Sequence, residues 1–549
     1  MLNSDILEKH YFETIIDGLS YAADTEKGVC FYSNTGQLES ETSYLRLKEL
    51  AIDFGKRLSA LKFERHARVG IIAETSLDFL VASLGCQFAG VLPCPLPHVN
   101  FIGGLDAYIA SLRGLSNHAR LSALIGSESL KVCIEKAVEG SLAQALTFDQ
   151  IRELPATGHL SPLGRDDPAY IQYSSGSTSN PKGVLITQRA LTRNIGSILQ
   201  YGSRSRPSDR TFSWLPFSHD MGFVGLFLTP MFGISSVDYI SPAAFMRNPL
   251  LWIELMSTNR STVTYAPSFA YQLAAQHQMR NPREYDLSCL RLAGLGGDMI
   301  RPQEMDEFTA AFASSKFKME SFLPSYGMSE AVLGISFDEH GKKPVTHRLS
   351  PKGRPFVSCG HPLPGIDMVI VDSEGQPVAD GVTGHIWIRA PDMETSYFED
   401  EAATSASRRR DGFRDTGDMG FVINERLFVS GRAKELILWR GRNIWPQDIE
   451  LAAEKIAPLK PGDIAAFSVE SEEGETIIVL VQCGSDNNDE RSQLMKAVSG
   501  RISGELGIAA KVVLISPQSL PYTASGKLSR TLARELYREL QDSSLLFTA

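Results

Sequence analysis

Short apolar, β-branched runs alternate with longer segments of helical period through most of this chain. That alternation constrains the fold more than any other feature. Arg68-Val-Gly-Ile-Ile-Ala73 predicts a strand, Ser76 to Ala89 a helix with apolar positions about 3.6 residues apart, and Val91 to Leu96 a further strand. The pattern recurs at Tyr170–Tyr173, at Val184–Thr187 with a helix after it, at Thr262–Ala266 and at Leu290–Leu295. Strands spaced by helices imply an α/β fold of mainly parallel sheets covered by helices. Between Pro355 and Pro391 the texture changes. Asp367-Met-Val-Ile-Val-Asp372 and His385-Ile-Trp-Ile-Arg389 predict strands around the turn Ser373-Glu-Gly-Gln-Pro377, a small β subdomain.

At 549 residues the chain exceeds one compact core, and about 150 residues per domain suggests three or four units. Past Gly431 strands are expected at Ala465–Val469, Thr476–Cys483 and Lys511–Ile515, with helices at Ile449–Lys455, Glu490–Glu505 and Arg530–Leu540. This is a separate small α+β domain, with its boundary near Arg432-Ala-Lys434.

Composition narrows the function. A formal charge of −10 with no concentrated basic face argues against nucleic-acid binding. Arg408-Arg409-Arg410, beside Asp411, reads as a solvated loop. Seven dispersed cysteines with no CxxC pair predict reduced thiols in a cytoplasmic protein. The first residues mix acids and bases without an apolar core, so no signal peptide is expected. No uninterrupted apolar run reaches about 18 residues, so no membrane span is expected.

Ser174-Ser175-Gly176-Ser177-Thr178-Ser-Asn-Pro-Lys182-Gly183 carries five hydroxyl side chains, two glycines and a lysine in ten positions, between two predicted strands. Glycines admit an anion close to the backbone, hydroxyls and amides donate hydrogen bonds, and Lys182 adds charge for polyphosphate. It differs from the GxxxxGK[ST] loop because the lysine precedes the last glycine and no helix follows at once. Alone, the composition fits a phosphate loop and a Ser/Gly surface loop alike.

Five more segments lie downstream: Ser325-Tyr326-Gly327-Met328-Ser329-Glu330, Arg414-Asp-Thr-Gly-Asp418, Ser430-Gly-Arg432-Ala-Lys434-Glu435, Gly441-Arg-Asn-Ile-Trp-Pro-Gln-Asp-Ile-Glu450 and Pro521-Tyr-Thr-Ala-Ser-Gly-Lys527. In this order and at these separations they resemble the adenylate-forming superfamily of acyl-CoA synthetases, luciferases and peptide-synthetase adenylation domains. The resemblance covers nearly the whole chain. It implies ATP and Mg²⁺ as cofactors, and a carboxylate that attacks the α-phosphorus of ATP to give an acyl-adenylate and pyrophosphate. It implies an N-terminal domain over 1–431 (β subdomain about 355–431), a hinge over 432–435 and a mobile C-terminal domain over 436–549.

Roles carried over by that resemblance begin with the phosphates, held by Ser177, Thr178 and Lys182 in the loop that Ser174, Ser175 and Gly176 open. Glu330 and Thr178 would hold the metal. Tyr326 would stack on adenine, within the run Ser325 to Ser329, and Gly297 and Asp298 would form the opposite wall; a loop or helix cap competes for Asp298. Asp418 suits the ribose hydroxyls, and Arg432 the ribose or α-phosphate. Lys527 would bridge the substrate carboxylate and α-phosphate, neutralising charge rather than taking a proton, and Lys434 marks the pivot.

Ser213-Trp-Leu-Pro-Phe-Ser-His219-Asp-Met-Gly222, Ser241-Pro-Ala-Ala-Phe245, Val357-Ser-Cys-Gly360 and the Gly441 to Glu450 segment make the chain most similar to fatty acyl-AMP ligases. That likeness implies a fatty or other carboxylic acid as substrate and the phosphopantetheine arm of an acyl carrier protein as acceptor, in lipid or polyketide assembly. An acyl-CoA ligase using free coenzyme A is the alternative, and amino-acid adenylation a lesser one with Asp220 as the candidate ammonium partner. His219 would gate the acid pocket or be a packed core residue. Phe217, Phe223, Leu226, Phe227, Met231, Phe232, Phe269 and Leu273 would line an alkyl pocket or belong to the core. Only Ala331 to Cys359 stands where fatty acyl-AMP ligases carry a longer insertion.

Overall fold

A computed structural model describes residues 12–98, 104–173, 182–351, 353–439, 442–471, 474–522, 528–542 and 547–548. The chain divides into two compact units, one of residues 1–416 with 420–429, the other of 417–419 with 430–549.

The predicted strand–helix alternation builds the first unit. Its largest sheet has nine strands, in the order His361–Pro362, Gly334–Phe337, Phe322–Gly327, Leu292–Leu295, Val263–Ala266, Arg210–Ser213, Ser236–Tyr239, Gly28–Tyr32 and Leu38–Ser43. From Gly28–Tyr32 through to Phe322–Gly327 every neighbouring pair is parallel. The edges are antiparallel. A second sheet, Leu92–Leu96, Arg68–Ile72, Ala123–Gly126 and Gln144–Thr147, is parallel throughout. The helix between its first two strands in sequence, Leu77–Ala89, begins where Ser76 accepts the Phe79 amide and ends at Gly90 in the left-handed conformation (φ 77°). Such a cap contributes about 1 kcal/mol.

The structure adds elements that periodicity did not predict. Ile198–Gly202 and Met221–Leu228 are wound as π-helix, a form found mostly as short bulges at functional sites. The β subdomain is a four-stranded sheet ordered Asp367–Val371, Gly384–Arg389, Arg414–Ile423 and Arg426–Arg432.

The stretch after Glu330 forms a small hairpin, Thr346–His347 against Phe356–Val357. It is seated on the stacked rings of Phe421 and Phe428: Phe356 meets Phe421 edge-on at 5.3 Å, and His347 lies 6.0 Å from both. Arg426 clamps its base by pairing with Asp338 and, at 2.6 Å, with Glu339. His340 bonds the carbonyl of Gly202 through Nε2.

In the second unit Ile464–Ser471, Gly474–Gln482, Lys511–Ile515 and Phe547–Thr548 form a sheet. The helices are Pro446–Ala453, Asn488–Leu506 and Arg530–Asp542. Arg530 ties Glu435 (2.8 Å) to the buried Glu450 (2.6 and 2.9 Å), which also accepts the Ala466 amide at 3.0 Å. A charge buried in this way requires such pairing.

Burial and the nearby guanidinium of Arg291 lower the His340 pKa to about 4 from an ordinary 6.5. The folded chain therefore takes up this proton less readily than the unfolded one, and stability is lost as pH falls from 6.5 towards 4. Thermal unfolding against pH should show a shallower acid-side decline for His340→Gln than for the parent chain.

Candidate active site

The strands flanking the Ser/Gly segment, Pro168–Tyr173 and Gly183–Thr187, pair antiparallel with Tyr173 opposite Gly183. The two ends of the segment therefore lie side by side. Ser174, Ser175, Gly176, Ser177 and Thr178 lie outside the described residues, as does Lys527. The Ser396–Tyr397 strand completes this sheet, placing Ser396 opposite Leu185 and Tyr397 opposite Val184.

A chain of contacts leads from one end of the segment to the other. The side-chain Nε2 of Gln172 donates to the carbonyl of Ser218 at 2.7 Å. Beside Ser218, His219 Nδ1 meets Asp220 Oδ1 at 2.8 Å. The same Nδ1 also accepts the Met221 amide at 3.3 Å. Asp220 is 6% exposed. Its Oδ1 also accepts the Met221 amide at 2.7 Å, and its Oδ2 accepts the Ser329 hydroxyl at 2.6 Å. Burial and the charge of Asp220 hold the Tyr170 phenol well above its ordinary pKa. From Ser329 the chain passes to Glu330, whose Oε1 accepts the Tyr397 hydroxyl at 2.8 Å. The Lys182 ammonium lies over the Tyr397 ring, 4.9 Å from its centroid.

Glu330 is held by its backbone as well. Its carbonyl accepts from Thr395 Oγ1 at 2.6 Å and from Arg414 at 3.1 Å, while Arg414 also bonds Thr395 Oγ1 and its carbonyl at 2.8 and 2.5 Å. Burial lowers the Arg414 pKa, opposed by the Tyr397 hydroxyl and the Glu330 charge. After the short turn Ser329–Ala331, Val332 takes φ 69° and ψ −61°, and Leu333 donates to the Ala331 carbonyl at 2.9 Å. This is a γ-turn of the rare left-handed kind, costing about 1–3 kcal/mol. Val332 is fully buried, which holds the turn in place. A Cβ on Gly327 would lie 1.8 Å from the Leu333 carbonyl oxygen, so only glycine fits there.

The other expected residues fall into three places. Ser325 donates to the Leu295 carbonyl at 3.0 Å, and Tyr326 and Gly327 close the Phe322–Gly327 strand, half-buried. The Met328 amide donates to the Leu333 carbonyl at 2.9 Å. Gly297 (φ 76°) and Asp298 are exposed, and Asp298 accepts its neighbour Met299's amide at 2.7 Å. The next helix begins at Pro302 with Arg301 at its cap, so Asp298 is a loop residue and not a helix cap. In the second unit, buried Asp418 pairs with Arg432 at 3.2 Å, and Lys434 is exposed in the turn Ala433–Glu435.

Phe217, Phe223, Phe227, Met231 and Phe232 pack in one core and Leu226 in another, all buried, whereas Phe269 and Leu273 are only partly buried. Tyr397 and Thr395 escaped the sequence reading because nothing in their own neighbourhood marks them. Only strand pairing across the chain brings them to Glu330.

The model for AMP-binding enzymes matches residues 22–398. The chain belongs to that family. A Caulobacter vibrioides protein provisionally named an acyl-CoA synthetase is 37% identical to it, covering 96% of this chain and 95% of its own. The medium-chain-fatty-acid–[acyl-carrier-protein] ligase JamA of Moorena producens is 30% identical, over 97% and 96%. A structure from a study of fatty acyl-adenylate ligases of E. coli and L. pneumophila superposes with a TM-score of 0.91 at 37% identity, over 97% and 99%. The chain is thus an adenylate-forming ligase that uses ATP, built on a large N-terminal and a smaller C-terminal part.

For this AMP-binding enzyme, Mg²⁺ would need few protein ligands, since it takes one or two carboxylates and fills its shell with water and substrate phosphate oxygens. Glu330 fits, because among the described residues its Oε2 carries no hydrogen bond. When bound, the ion would neutralise phosphate charge.

Asp220→Asn weakens the grip on both His219 and Ser329. A hydrogen bond to a charged group contributes about 1.5–3 kcal/mol. ATP–pyrophosphate exchange should therefore fall about tenfold to a hundredfold, and Ser329→Ala should fall less.

Proposed function

We propose that this chain is a fatty acyl-AMP ligase that loads an acyl carrier protein. A carboxylate oxygen of the fatty acid attacks the α-phosphorus of ATP, and the bond to the β-phosphate breaks with release of pyrophosphate. The phosphopantetheine thiol of the carrier, losing its proton, then attacks the acyl carbonyl, and AMP leaves. Lys182 with Ser177 and Thr178 serves the β- and γ-phosphates, Glu330 and Thr178 the Mg²⁺, Asp418 and Arg432 the ribose, and Lys527 the charge on the α-phosphate. Residues 432–435, with Lys434 at the pivot, let the C-terminal domain of 436–549 change its face between the two steps.

The single observation that carries the acid's identity is the saturation of Asp220. Both its oxygens are engaged, by His219, Met221 and Ser329, so this acid is not spare to receive a substrate ammonium. The alkyl chain of a fatty acid carries no ammonium that would need a counter-charge, and the partly buried Phe269 and Leu273 suit such a chain. Similarity to JamA along nearly the whole chain supports the carrier thiol as acceptor.

The second reading, an acyl-CoA ligase, draws on the Caulobacter relative and on the hairpin after Glu330, which is packed on Phe421 and Phe428. We assign the protein to the cytoplasm. All seven cysteines are unbonded, and no helix among the described residues is long and apolar enough to cross a membrane.

Incubation with ATP, Mg²⁺, a fatty acid and either holo carrier protein or free coenzyme A tests the acceptor: acyl-carrier should accumulate, and efficient acyl-CoA formation would overturn it. Lys527→Ala should lower pyrophosphate release on the order of a thousandfold, as when one donor to a developing charge is lost. Transfer from preformed acyl-AMP should change much less.

A further inference from the structure

We propose that Tyr397 is a positioning residue for adenylation, orienting Glu330 through its hydroxyl and Lys182 through its ring so that the two opposite charges stay separate until MgATP binds. This rests on the reading of Glu330 as metal ligand and Lys182 as phosphate ligand.

Tyr397 donates to Glu330 Oε1 at 2.8 Å and carries the Lys182 ammonium 4.9 Å above its ring. A carboxylate and an ammonium sharing one neighbour attract each other, and a direct ion pair would cover the groups that metal and phosphate need. Glu330 and Lys182 form no ion pair with one another or with any other described residue. The phenol ring stands in for that pair. Its hydroxyl satisfies one carboxylate oxygen and leaves Oε2, and its face attracts the ammonium without neutralising it. Donation to a carboxylate makes the ring more electron-rich, so the two contacts reinforce each other.

The ring itself is fixed. Pairing with Val184 sets Tyr397 two positions from Lys182 along the neighbouring strand. The Tyr397 amide donates to Thr404 Oγ1 at 3.0 Å, and Thr404 in turn donates to the Asp400 carbonyl at 2.8 Å. Tyr397 is half-buried, with part of its ring packed against the core that holds Val184 and Ile186, and its hydroxyl is left to reach Glu330.

Two substitutions separate the contacts. Tyr397→Phe removes the hydroxyl and keeps the ring; Tyr397→Leu removes both. Equilibrium binding of ATP is measured by calorimetry on the full-length protein, with and without Mg²⁺, together with thermal unfolding and the KM for the fatty acid. Tyr397→Phe should weaken binding about tenfold with Mg²⁺ and leave metal-free binding unchanged. Tyr397→Leu should also weaken metal-free binding, by about three- to fivefold. The fatty-acid KM should hold in both. Unchanged Mg²⁺-dependent binding in Tyr397→Phe overturns the proposal, as does an equal loss with and without the metal. Glu330→Gln distinguishes the two readings. If it leaves Mg²⁺-dependent binding intact, the metal role of Glu330 fails; if it abolishes that dependence while Tyr397→Phe does not alter it, only the role of Tyr397 fails.

Discussion

Two residues of backbone pairing hold the site together. Ser396 and Tyr397 lie antiparallel to Leu185 and Val184, so a segment more than two hundred positions downstream becomes the third strand beside the Ser/Gly connection. Without that pairing Tyr397 has no reason to meet Glu330, Thr395 no reason to bond its carbonyl, and Lys182 no aromatic face. The pairing is short and would be weak alone. The next turn of chain secures it, where Asp400 caps the helix Glu401–Ser407 and Thr404 reaches back to the Tyr397 amide. Local capping thus stabilises a long-range contact.

Charge in this region is managed by burial and pairing rather than by number. Asp220 is taken from water and held by the Met221 amide and the Ser329 hydroxyl, with His219 beside it, and this makes a carboxylate tolerable inside an apolar wall. His219 and Ser329 are consequently bound to one anchor although they lie far apart in sequence. The same logic governs Arg414, a guanidinium whose burial is compensated by Thr395 and the Glu330 carbonyl. In the second unit Arg530 plays the complementary part, one cation shared between Glu435 and Glu450.

Much of the architecture was legible in the residues. Arg68–Ile72, Leu77–Ala89 and Leu92–Leu96 follow from apolar period and a serine cap, and the strands at 263–266 and 292–295 from short apolar runs. Within the site, the motif around Glu330 announced itself by its company of other motifs. Tyr397 did not, because a two-residue strand leaves no period to read. Nor did the π-helical winding at Met221–Leu228, which depends on how its uniformly apolar side chains pack. The alkyl-pocket set read partly as core because apolar residues look alike until burial separates Phe269 and Leu273 from Phe217 and Phe232. Asp418 and Arg432 were assigned to neighbouring parts of a nucleotide from their motifs, whereas their mutual contact at 3.2 Å is a tertiary fact.

The left-handed corner at Val332 carries a consequence for how this chain matures. A β-branched residue does not keep such dihedrals in an open chain, so the corner exists only once the surrounding apolar wall has closed over it. Glu330, two positions earlier, acquires its orientation in the same event. A half-assembled chain would thus lack the Glu330 geometry that the proposed metal site requires, because that geometry depends on the packing around Val332.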